Sequence, residues 1–140
     1  MLLMLLLACD DDIFPPPTGG GDVVQGDSYA DVVTVFEGAC VSCHGAGAPT
    51  AGLDLETDPC AAIVDVSSVT YGAAYVAPGD SPGSVVWNKM ADTGVHGGVM
   101  PTFGAVAEAS VATVAAWIDA GASCDDTADT ALTDQTGAEP

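Results

Sequence analysis

Five consecutive residues, Cys40-Val41-Ser42-Cys43-His44, carry the densest chemistry in the chain. Two thiols three positions apart, with an imidazole directly after the second, form the attachment pattern of a c-type haem. Each thiol adds across a vinyl group of the macrocycle to give a thioether. Two intervening residues let both sulfurs reach vinyls on one edge, and His44 is then delivered to the iron as its proximal ligand. The same residues have other uses. A zinc ribbon wants a second Cys-x-x-Cys pair, and the chain has none. A thioredoxin-like redox pair belongs in a βαβ setting, which the flanking sequence does not offer. A structural disulfide is the plainest competitor.

An iron held by one protein ligand has a second axial position, and the stretch Gly94-Val95-His96-Gly97-Gly98-Val99-Met100-Pro101 offers donors for it. The thioether of Met100 is soft and suits haem iron, and Met/His ligation raises the potential. Pro101 biases Met100 to an extended backbone. His44 and Met100 are therefore the expected metal ligands. His96 would instead give a bis-His site. Met90 lies on a helical apolar stripe and reads as core. Lys89, the only basic side chain, is either a partner for a haem propionate or a solvated counter-charge to neighbouring carboxylates.

The elements that must position these groups read as helices and loops. Residues 28–38 predict a helix: Asp27 or Ser28 caps it, and Tyr29, Val32, Val33 and Phe36 form an i, i+3, i+4, i+7 stripe. It runs straight into Cys40. Residues 45–55 form a loop of small residues that lets backbone lie close to a flat ligand. Its Leu53 and Leu55 either cover that ligand or pin the loop to the core. Asp58-Pro59 opens a second helix, with a cap and a proline at the first helical position. Residues 71–77 read as irregular or extended, and Pro78-Gly79-Asp80 as a turn. Ser81-Pro82 opens a third helix through Met90, with Trp87 as core or haem contact. Residues 107–120 form the clearest amphipathic helix, with Val111, Val114, Ala115 and Ile118 in one stripe and Gly121 as its stop.

The ends carry different signals. Residues 1–8 are a signal-like apolar segment, and Leu6-Leu7-Ala8-Cys9 resembles a bacterial lipobox with Cys9 as the lipidated residue. The segment is too short to span a membrane and lacks the positive charge of an export signal, which points to a leader beginning upstream. Residues 9–27, with Asp10-Asp11-Asp12, Pro15-Pro16-Pro17 and Gly19-Gly20-Gly21, form a linker after the lipobox cysteine. Residues 28–124 are the domain, and 125–140 an acidic tail without packed structure. With Cys40 and Cys43 assigned to haem and Cys9 to lipid, Cys60 and Cys124 remain, and an exported protein would pair them in a disulfide. Twenty acidic residues stand against one basic. Such a surface excludes nucleic acid, which needs Lys and Arg to neutralise phosphates. It favours partners with basic docking surfaces and leaves the lipid anchor as the only route to a membrane. Apolar residues make up 49% of the chain, but aromatics only 6%, so a covalently held apolar cofactor would supply much of the core.

These features together resemble a small class I c-type cytochrome domain over about residues 28–123. The helix before Cys40-Val41-Ser42-Cys43-His44, then Leu53-Asp54-Leu55, Pro78-Gly79-Asp80-Ser81-Pro82-Gly83-Ser84, Met100-Pro101 and Ala116-Trp117-Ile118-Asp119-Ala120-Gly121-Ala122 carry the likeness. The Pro-Gly-Asp and Trp-Ile-Asp-Ala-Gly-Ala stretches are similar to planctomycete-type cytochrome c domains. The resemblance implies an all-α fold with crossing first and last helices and loops enclosing one covalent haem c. Cys40 and Cys43 would attach it, and His44 and Met100 would ligate it. The chain departs from many cytochromes in having no arginine for propionates and no basic docking patch. The expected role is electron transfer rather than catalysis, by an exported, periplasmic or surface lipoprotein. Two other classes stay open: a haem-based sensor that admits a small ligand, and a non-haem lipoprotein held by disulfides.

Overall fold

The computed structural model describes residues 28–125. Calls on the signal-like segment, Cys9, the linker and most of the acidic tail fall outside them. Within the described residues the fold is all-α: five helices, one 3-10 turn at Thr50–Gly52, three isolated β-bridges and no sheet.

Helix α1 spans Tyr29–Ala39. Ser28 starts it through a reciprocal capping box: its hydroxyl accepts from the Asp31 amide, and the Asp31 carboxylate accepts from the Ser28 amide. An eleven-residue helix is marginal by itself, so its stability comes from the face it buries. That face is Val32 and Phe36, both with no exposed area. It packs against α5, Glu108–Asp119, which buries Val114, Trp117 and Ile118. Burying each such side chain is worth about 1.5–3 kcal/mol. Tyr29 meets Trp117 at 5.8 Å between ring centroids, and the Trp117 indole donates to the Ser123 carbonyl at 2.7 Å. As its sequence suggests, α5 lacks a side-chain cap at Ala107. It ends where Gly121 takes a left-handed φ of 106°.

The short helices fill the space between. Helix α2, Val41–His44, follows α1 after a kink at Cys40. Helix α3, Pro59–Ile63, is capped by the Asp58 carboxylate on the Ala61 amide. Helix α4 spans Val85–Met90, four residues later than Ser81-Pro82 suggests. The reason is local: side chains claim the backbone of residues 77–84 before a helix can. Asp80 accepts from the Gly83 amide, while the Ser84 hydroxyl donates to the Asp80 carbonyl and accepts from the Ala77 amide. A Cβ on Gly83 would sit 2.7 Å from the Asp80 carboxyl carbon, so a larger residue there would displace the carboxylate that holds the turn.

This stitched turn docks on α5. The Gly79 amide donates to the Ile118 carbonyl at 2.7 Å, and Asp119 accepts from the amide and hydroxyl of buried Ser81 at 2.9 and 3.2 Å. A disulfide joins Cys60 to Cys124, with Cα atoms 6.1 Å apart. It ties α3 to the chain after α5, across 64 residues of sequence. No helix among the described residues is long and apolar enough to cross a membrane.

Candidate haem site

The site begins at the C-terminus of α1. Cys40 caps that helix, its amide donating to the Phe36 carbonyl at 2.8 Å, and then starts the next turn by accepting from Cys43 and His44 at 3.1 and 2.9 Å. One helical turn thus carries Cys40, Cys43 and His44 at i, i+3 and i+4, positions that share a face. Cys40 is half-buried and Cys43 exposed, and both are free thiols. Burial pushes the Cys40 thiol up to about 11, because the apolar surroundings disfavour a thiolate. At neutral pH it is a protonated thiol.

His44 is oriented from behind. Its Nδ1 lies 3.2 Å from the Thr50 carbonyl. With the proton on Nδ1 donated there, Nε2 is the atom left with a free lone pair, which is how a ligating histidine is fixed in tautomer and direction. The loop that supplies Thr50 is itself held. The His44 carbonyl accepts from the Leu55 amide at 2.7 Å, and Glu56 accepts from the Ala46 amide at 2.9 Å. Gly45 allows this closure: a Cβ there would meet the Val41 carbonyl oxygen at 2.7 Å. Asp54 ties the far end, accepting from the Glu56 and Thr57 amides and the Thr57 hydroxyl at 2.9, 3.1 and 2.7 Å. These bonds, that from the Thr57 hydroxyl foremost, hold its carboxyl below the usual range.

The cavity opens in front of this turn. Two adjoining cavities, about 150 and 360 Å³, share Cys40, His44 and Met100. The smaller is walled by Leu53, Leu55, Tyr75, Val85, Val86 and Met90. The larger adds Cys43 and Phe103, and Phe103 is 97% exposed. Leu55 is buried in the core cluster and Leu53 packs against it, so both residues line the cavity and anchor their loop. Trp87 packs on the core without lining either cavity.

The candidate distal donors sort by place. Met100 borders both cavities, is 38% exposed, and its amide donates to the Lys89 carbonyl at 2.9 Å. His96 lines neither cavity; its ring packs on Tyr71 at 5.3 Å. Met90 is a core residue, 6% exposed. Lys89 lines the smaller cavity, with Nζ 4.8 Å over the Tyr71 ring and 3.1 Å from the Gly98 carbonyl it donates to.

The donor chemistry fits haem. One helical turn presents two thiols and an oriented imidazole, a thioether borders the same space, and the walls are apolar. Among the described residues no three His, Cys, Asp or Glu side chains converge as a metal-binding group, so a four-ligand zinc site lacks its remaining donors.

The family model described as planctomycete cytochrome C matches residues 40–102. The match supports reading this segment as a planctomycete-type cytochrome c domain. The match opens on Cys40 and closes just beyond Met100-Pro101, so it spans the candidate site. That family implies covalently bound haem c. Helices α1 and α5 lie outside the matched segment and join the cytochrome domain through packing. No curated protein and no solved structure matches the chain significantly.

Sequence reasoning missed the backbone contributors. The Thr50 carbonyl that orients His44 and the Lys89 carbonyl that holds Met100 leave no side-chain signature. Tyr71 and Tyr75, both lining the cavity, sit in a segment whose periodicity is weak.

Proposed function

We propose that the protein is an electron carrier with one covalent haem c, attached through Cys40 and Cys43 and ligated by His44 and Met100. The observation that carries this reading is the meeting of Cys40, His44 and Met100 at adjoining cavities inside the family-matched segment. Bound haem supplies a one-electron ferric/ferrous couple. The chain's own part is to hold and shield it. Helix α2 presents both thiols and the imidazole, and the Thr50 carbonyl fixes the imidazole's direction. Leu53, Leu55, Val85 and Val86 keep water from one face. Phe103, 97% exposed, and Met100 border the side where a partner protein would approach.

The reading extends to address and partners. Lipidation of Cys9 would anchor an exported protein to a bacterial membrane, in the periplasm or on the outer surface, with residues 9–27 as tether. One acyl chain gives only marginal binding, so a stable anchor needs more than one. A formal charge of −19 favours redox partners with basic docking surfaces.

The test is spectroscopic. The full chain, expressed with a haem-maturation system, should show a c-type spectrum and retain one haem per chain under denaturing conditions. Met100→Ala should keep the haem, lose the Met–iron absorption band and lower the potential. A colourless protein with Cys40 bonded to Cys43 would overturn the reading. Tight carbon monoxide binding by the untreated protein would replace electron transfer with a sensor role.

A further inference from the structure

We propose that Lys89 is a positioning residue for the distal ligand, closing the glycine-rich loop so that the Met100 thioether stays at the cavity. The inference rests on the reading of Met100 as an axial ligand. Residues 91–100 leave α4 and return to it. Lys89 meets the returning strand twice. Its carbonyl accepts from the Met100 amide at 2.9 Å, and its Nζ donates to the Gly98 carbonyl at 3.1 Å. The two bonds bracket Val99 and fix the backbone on the N-terminal side of the ligand.

The loop needs such a tie. Gly94 and Gly97 take φ of 75° and 82°, and Gly98 follows, so this stretch has little stiffness of its own and much entropy to lose on ordering. At the start of the loop, the Thr93 hydroxyl bonds Asn88 and the Thr93 amide donates to the Asn88 carbonyl at 3.3 Å. At its end Lys89 is the described anchor. The ammonium is steadied from below by the Tyr71 ring at 4.8 Å, a cation–π contact. That ring also meets His96 of the loop at 5.3 Å, so Tyr71 contacts both Lys89 and the loop that Lys89 closes. The sole cation among 20 carboxylates is spent on a neutral backbone carbonyl beside the ligand. A carbonyl–ammonium bond is stronger than a neutral one, which makes its loss measurable.

The test uses the haem-loaded full chain and imidazole as probe, since imidazole binds ferric iron only where Met100 has left it. Lys89→Met keeps the apolar stem and the backbone carbonyl and removes only the ammonium. It should raise imidazole affinity about tenfold, as the loss of one charge-assisted hydrogen bond implies, and weaken the Met–iron band. Lys89→Arg should restore affinity to within about twofold of wild type. In a Met100→Ala background the same Lys89→Met change should have no effect on imidazole affinity, because no thioether is left to position. Unchanged affinity in Lys89→Met with an intact Met–iron band overturns the proposal. So does an equal rise in both backgrounds, which would place Lys89 at the haem itself. If Met100→Ala alone leaves band and affinity as in wild type, the ligand assignment beneath the proposal has failed instead.

Discussion

At the level of single residues, the site depends on groups whose ordinary chemistry is restrained by neighbours. Burial keeps the Cys40 thiol protonated up to about 11, while Thr50 keeps the His44 imidazole aimed. Asp54 does the same for the loop between them. Its carboxylate accepts two amides and a hydroxyl, and all three bonds favour the charged form. Its folded pKa is therefore lowered, and the sign of the linkage follows. The turn's support is present above the ordinary aspartate pKa of about 3.9 and is lost as pH falls through the lower folded value. Carboxyl titration of the diamagnetic ferrous protein by NMR should put Asp54 below its reference midpoint, with the Glu56 and Thr57 amide shifts moving along the same curve. A midpoint at the reference value would show that those bonds are not kept in solution. Cys40, Cys43 and His44 stand out in sequence because haem attachment would demand those types at that spacing. Their orienting partners were hidden because carbonyl oxygens belong to every residue.

At the level of elements, α1 and α5 could be read from periodicity because each presents one uninterrupted apolar stripe to the other. Helix α4 could not be bounded the same way. Ser81-Pro82 looks like a helix start, but Asp80, Ser84 and Asp119 bind its backbone into a turn. The Pro78-Gly79-Asp80 and Trp117-Ile118-Asp119 stretches, far apart in sequence, are two halves of one contact. Asp119 is an exposed residue, yet it satisfies a Ser81 that is only 5% exposed. Asp119→Ala would leave that buried amide and hydroxyl without partners, at a cost of about 1–3 kcal/mol. Asp119→Asn keeps a carbonyl acceptor and should cost less. For a domain of this size each kcal/mol is about 4–8 °C of melting temperature. Thermal melts followed by far-UV circular dichroism should rank wild type, Asp119→Asn and Asp119→Ala in that order. Equal melting points would mean that the turn docks on α5 through the Gly79–Ile118 bond alone.

At the level of the whole molecule, a thin core must hold an open cavity. The buried apolar set is short: Phe36 and Trp117 are its aromatics, and most of the rest is valine, isoleucine and leucine. Helices α1 and α5 meet at one end of this core. The cavity interrupts its other side, where Leu55, Val85 and Met90 form part of its lining. Such a fold gains from a covalent tie across its middle, and the Cys60–Cys124 disulfide provides one. It links α3 to the chain leaving α5, so it ties α3 to the terminal pair of helices. Closing a loop of 64 residues removes unfolded-state entropy worth about 4 kcal/mol in the chain-entropy account. Native stability is about 5–15 kcal/mol for domains generally, so that share is large. The double variant Cys60→Ser with Cys124→Ser should therefore lower the denaturation free energy of the haem-loaded protein by about 3–5 kcal/mol. Guanidinium unfolding followed at the haem absorption would read it, with the Met–iron band in native buffer unchanged. A loss of that band before unfolding would mean that the disulfide holds the distal loop rather than the fold. Equal midpoints would show that packing of α1 on α5, with the haem in place, is sufficient without it.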